Sequence, residues 1–72
     1  MKALKDRVIS QAVLDAQGFM EEFPGQTLQD DCDWDAQCWQ TSARDLGLTP
    51  KETDKFWPLY QTTLKSAIKA GR

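Results

Sequence analysis

The stretch Gly47-Leu48-Thr49-Pro50-Lys51-Glu52 is the strongest structural signal in the chain. Thr49 suits a helix N-cap. Pro50 suits the first helical position, where a missing N–H costs nothing, and Glu52 stands where a capping box needs a carboxylate. Leu48 lies where a hydrophobic staple residue sits, and Gly47 supplies the stop of the preceding helix. A second stop, Pro24-Gly25, lies one helix earlier. The two breaks divide 72 residues into three segments. Each segment repeats apolar residues at three- and four-residue steps, the spacing of one helix face.

In the first segment Leu4, Val8, Ala12, Ala16, Phe19, Met20 and Phe23 predict a helix over about 3–23, with Ile9 and Val13 widening the stripe. Gly18 is its weak spot, costing about 1 kcal/mol against alanine in a helix interior. In the second, Leu28, Cys32, Ala36, Trp39, Ala43 and Leu46 predict a helix over about 28–46. Thr27 would cap it with Asp30 three residues on, or it starts later, at Asp31 or Asp33. In the third, Trp57, Tyr60, Leu64, Ala67 and Ile68 form the stripe. Pro58 interrupts it, because proline lacks the N–H and clashes with the carbonyl four residues earlier. The expectation is a kink, or a short helix over 50–56 followed by a longer one over 58–70. No strand-like alternation occurs. The fold class expected is all-α: one domain, a compact bundle of three main helices, the third kinked or split at Pro58.

A chain this short buries only about 60% of the surface its unfolded form exposes, so its core is thin. Small domains often compensate with disulfides, metals or a partner subunit. Cys32 and Cys38, if helical, lie about 9 Å apart along the axis, beyond the reach of a disulfide without backbone movement. The chain has no histidine, and two thiols cannot complete a tetrahedral zinc site, so neither a metal nor a cofactor is expected. No run of about 18 apolar residues offers a membrane span. The charged opening residues Lys2, Lys5, Asp6 and Arg7 do not suit a signal peptide, which points to the cytoplasm.

Charge is unevenly placed. Over 25–46 five aspartates face one Arg44, a net of -4, whereas over 47–72 five basic residues face two acids, a net of +3. Asp30, Asp31, Asp33 and Asp35 crowd around Cys32 and Trp34. Read as a calcium loop opening at Asp31, the stretch lacks the required Gly and Glu, having Ala36 and Ser42 at those places. Two other readings remain. Carboxylates gather at a helix N-terminus because the macrodipole favours them. Alternatively they form an acidic edge that steers a basic partner. On an ideal helix Trp34 lies about 140° from the Trp39 stripe. It would then point outward among aspartates as an interface anchor, or fold over the first helix. Phe56 and Leu59 are likewise surplus to the Trp57–Tyr60–Leu64 stripe, and surplus apolar groups on a small bundle suggest a partner groove or a homodimer.

The stretch from Ala43 to Glu52, with Ala43 and Gly47 four residues apart before a capped helix, resembles a helix-turn-helix DNA-binding core. The resemblance covers about a quarter of the chain. It implies that Arg44, Lys51 and Lys55 contact DNA. The sequence departs from that family at Thr53, where a β-branched aliphatic is usual, and Glu52 and Asp54 weaken phosphate attraction. The closing cations Lys65, Lys69 and Arg72 match the dipole of a helix C-terminus. Catalysis is not expected: no imidazole can serve as base, no glycine-rich phosphate loop exists, and neither cysteine has a histidine partner.

The function expected is therefore a protein–protein interaction module, a regulator or inhibitor of the kind common in bacteriophages and mobile elements. It would occupy a surface of a larger protein through Asp30, Asp31, Asp33, Trp34, Asp35, Phe56 and Leu59, with nucleic acid as the second-ranked partner.

Overall fold

The computed structural model describes residues 3–28 and 33–71. The described residues form an all-α bundle of three helices, α1 (Leu4–Glu22), α2 (Trp34–Leu46) and α3 (Pro50–Ala70). Phe19 meets Trp34 and Asp15 meets Ser42, so α2 runs back along α1. Trp39 meets Tyr60 and Asp35 meets Gln61, so α3 turns back along α2 and shares the sense of α1.

The local signals at the second turn operate as the sequence implies. Gly47 takes φ 74° and ψ 29°, its N–H reaches the Arg44 carbonyl, and the Leu48 N–H reaches that of Ala43, both at 3.0 Å. This is the Schellman arrangement, and glycine fits because a Cβ is strained at positive φ. Thr49 then caps α3. Its hydroxyl accepts from the Glu52 N–H at 3.1 Å, and the Glu52 carboxylate accepts from the Thr49 N–H at 3.0 Å. These contacts, the backbone one foremost, hold the Glu52 carboxyl below its ordinary range. Thr49→Ala should cost about 1 kcal/mol. A thermal midpoint lower by about 4–8 °C would report it, and an unchanged midpoint would show that the cap contributes nothing.

Two expectations are corrected. The second helix does not start at Leu28. Its N-cap is Asp33, the later of the starts the sequence allows, and Thr27 and Leu28 are not helical. Leu28 packs against the core instead, beside Ile68 of α3. Nor is α3 split at Pro58, since it runs as one helix of 21 residues. The missing N–H leaves the Asp54 carbonyl without its helical donor, but Asp54 and Pro58 are both exposed, so water can serve it.

The core joins Val8, Ala12, Ala16 and Phe19 of α1, Trp39 and Ala43 of α2, and Tyr60, Leu64 and Ile68 of α3. Fully buried Ala12 and Ala16 let α3 approach α1 closely, and α1–α3 is the main seam of the bundle. The shorter α2 is held more lightly, chiefly by Trp39, whose ring stacks on Tyr60 with centroids 4.6 Å apart.

Candidate functional site

Of the acidic segment only Asp33 and Asp35 are described, and Asp35 does not lie on the exposed edge expected of it. Asp30, Asp31 and Cys32 lie outside the described residues. Asp33 is exposed, but Asp35 is only 5% exposed. Its carboxylate accepts from the Gln61 amide at 3.1 Å and from the Ala36 N–H at 2.9 Å. The inward stripe of α2 is therefore Asp35, Trp39, Ser42 and Ala43, with Ala36 turned out. A carboxylate occupies an inward position because the α2 N-terminus and a glutamine of α3 both supply donors. Trp34 takes the second of the two positions open to it and folds over the first helix. It is half-buried and meets Phe19 edge-on at 5.1 Å, 70° between planes, covering the end of α1. Phe56 and Leu59 are also half-buried against the core rather than free, and Lys55 Nζ stands 5.4 Å from the Phe56 ring centre.

A polar residue bonded to all three helices went unread in the sequence. Asp15 of α1 accepts from Gln11 Nε2 at 2.9 Å, from the Ser42 hydroxyl of α2 at 2.7 Å and from the Tyr60 hydroxyl of α3 at 2.6 Å. One carboxylate thus ties all three helices together. Cys38 borders the same node. The signal was available: Asp15 lies between apolar positions 12, 16 and 19, and Ser42 and Tyr60 bring hydroxyls to inward positions where each needs an acceptor. The grouping of Asp15, Cys38, Ser42 and Tyr60 has the residue types of a nucleophilic site, but its surroundings favour the protonated thiol and phenol. Burial foremost, then the neighbouring carboxylate, pushes the Tyr60 phenol far above its ordinary value, and burial also raises the Cys38 thiol. Both hold their protons near neutral pH, and a protonated thiol is a poor nucleophile. Among the described residues no group of three His, Cys, Asp or Glu could hold a metal ion, and no helix is long and apolar enough to cross a membrane.

An open groove lies between α2 and α3. With a volume of about 390 Å³, it runs past Ala43, Arg44, Leu48 and Pro50. It continues into a recess of about 160 Å³ walled by Ala36, Trp39 and Trp57, the two sharing Gln40, Thr53 and Asp54. The Trp39 indole donates to the Thr53 carbonyl at 3.0 Å and so fixes the floor. Arg44 and Asp54, both exposed, bring opposite charges to the rim. Lys51 and Lys55 are exposed on α3 beyond the turn, interleaved with Glu52 and Asp54. The sequence pattern brought Arg44 forward only through the DNA-binding resemblance and missed the groove, whose walls come from two helices and their turn. Comparison of the chain with protein-family models, with curated proteins and with solved structures finds no match.

Proposed function

We propose that this chain is a small helical protein–protein interaction module that regulates a larger protein by occupying part of its surface. The observation that supports the reading best is the α2–α3 groove, with two indoles in its walls and one cation and one anion at its rim. A half-buried tryptophan, Trp57, and an arginine at two ends of one groove are residue types of a binding hot spot. The fitting occupant is a partner segment that presents an apolar side chain flanked by an acid, toward Arg44, and a base, toward Asp54. Asp33 and its acidic neighbours in sequence would steer the encounter rather than form its centre. The module would act by occupancy and not by catalysis, a reading supported by the protonated state of Tyr60 and Cys38. A free thiol at Cys38 suits a reducing compartment such as the cytoplasm.

The test uses the tagged chain and its Trp57→Ala and Arg44→Glu variants to capture partners from the native host. A partner held by the parent chain should be lost, or weakened at least tenfold, with both variants, while circular dichroism shows their helix content intact. Capture at undiminished affinity by both folded variants overturns the groove. The helix-turn-helix reading draws support from the turn itself, since Gly47, Leu48 and Thr49 adopt the required stop and start with Arg44, Lys51 and Lys55 exposed around it. Salt-sensitive, sequence-specific DNA binding that is lost on Lys51→Ala or Lys55→Ala would replace the first reading with this one.

A further inference from the structure

The geometry points to a second surface, the outer face of α1, as a self-complementary seam that pairs two copies of this chain through antiparallel α1 helices. It is independent of the α2–α3 groove, because it faces away from both α2 and α3. Among the described residues the exposed large apolar side chains are Val13 and Leu14, both on α1, and Leu14 is 60% exposed. On the helix, Leu14 stands opposite the buried Ala12–Ala16–Phe19 stripe, and Arg7, Ser10, Gln17, Gly18 and Glu21 share its side, all exposed.

The charges on this face are arranged symmetrically about Leu14. Arg7 precedes it by two helical turns and Glu21 follows it by two, each about 10.5 Å away along the axis. An antiparallel copy with Leu14 opposite Leu14 therefore places Arg7 of each chain against Glu21 of the other. The same register sets Ser10 opposite Gly18. A parallel copy would oppose like charges at both ends, so the charge pattern selects the antiparallel, two-fold arrangement, in which one patch serves both partners.

Gly18 is explained by this seam and by nothing inside the monomer. It lies in the interior of α1 without a positive φ, and nothing stands within 4 Å of where a Cβ would be. Alanine would fit and would favour the helix. Glycine there lowers the ridge one turn from Leu14 and lets a second backbone come close. The seam is narrow, with one leucine from each chain at its centre, so the dimer forms at high concentration and dissociates on dilution. Its consequence for the proposed function is bivalence: a dimer presents two α2–α3 grooves facing outward on opposite sides.

Sedimentation equilibrium from micromolar to millimolar concentration tests the seam without any partner, so it fails or succeeds separately from the groove. The parent chain should move from 8.2 kDa toward twice that mass. Arg7→Glu and Glu21→Arg should each weaken association at least tenfold, since each creates two like-charge contacts per dimer. The double reversal Arg7→Glu/Glu21→Arg should restore it, because the exchanged charges face one another again. Gly18→Ala should raise the thermal midpoint of the dilute protein and weaken association. A mass fixed at 8.2 kDa throughout overturns the proposal, as does a double reversal no better than the single ones, or unweakened association in Gly18→Ala.

Discussion

Trp39→Ala is expected to lower the unfolding free energy by about 3–5 kcal/mol, the usual loss for truncating a large buried aromatic. A domain of this length has roughly 4–11 kcal/mol in total, at about 0.05–0.15 kcal/mol per residue, so the loss is a large fraction of the whole. Trp39 is 2% exposed and makes two kinds of contact at once. Its ring stacks on Tyr60, and its indole N–H reaches the Thr53 carbonyl at 3.0 Å. Because α2 has fewer other anchors than α1 or α3, removing this one releases it from the bundle. Trp39→Phe keeps an aromatic ring against Tyr60 and loses the N–H, so it should cost much less, about 1–2 kcal/mol. Urea titration followed by circular dichroism gives both numbers. A loss below about 1 kcal/mol for Trp39→Ala would show that α2 is held by something else.

The two variants probe the boundary between what the sequence reveals and what it conceals. The turn at Gly47, Thr49 and Glu52 was legible because every partner lies within a few residues, and chain-local hydrogen bonds need no knowledge of the fold. The three stripes were legible for the same reason: the 3.6-residue period is a property of each helix alone. What remained hidden depended on neighbours. Helical spacing placed Trp34 away from the Trp39 side correctly, but a helix in a three-helix bundle has two buried flanks. The Trp34–Cys38–Ser42 flank faces α1 while the Asp35–Trp39 flank faces α3. Asp35 reads as a surface acid until Gln61, 26 residues away, is known to donate to it. Asp15 drew no reading from the sequence, because its partners Ser42 and Tyr60 arrive from the other helices. Pro58 reads as a kink or a break because propensity is local, whereas Tyr60, Leu64 and Ile68 beyond it hold α3 against the core as one helix.

The Asp15 node gives the protein a weakness to alkali that Tyr60→Phe should remove. The Tyr60 phenol is buried and donates to a carboxylate, so its folded pKa lies far above the unfolded value of about 10. Below that value both states hold the proton, and the contribution to stability is complete. Above it the unfolded chain releases the proton while the folded chain keeps it, so stability falls as pH rises, by up to about 1.4 kcal/mol per pH unit. Cys38, raised in the same direction from 9.0, adds a loss that begins slightly earlier. At neutral pH Tyr60→Phe should be the less stable protein, by about 1.5–3 kcal/mol, because the bond to a charged acceptor is gone. It no longer carries the tyrosine's alkaline loss, so by about two pH units above 10 the two proteins should converge or cross. Urea midpoints measured from pH 7 to about 12 on the parent, Tyr60→Phe and Cys38→Ser chains separate the two groups. The lysines that titrate in the same range are common to all three and cancel in the differences. Parallel curves for parent and Tyr60→Phe across that range would mean that the phenol does not stay protonated against Asp15, and that the three helices are not tied through it.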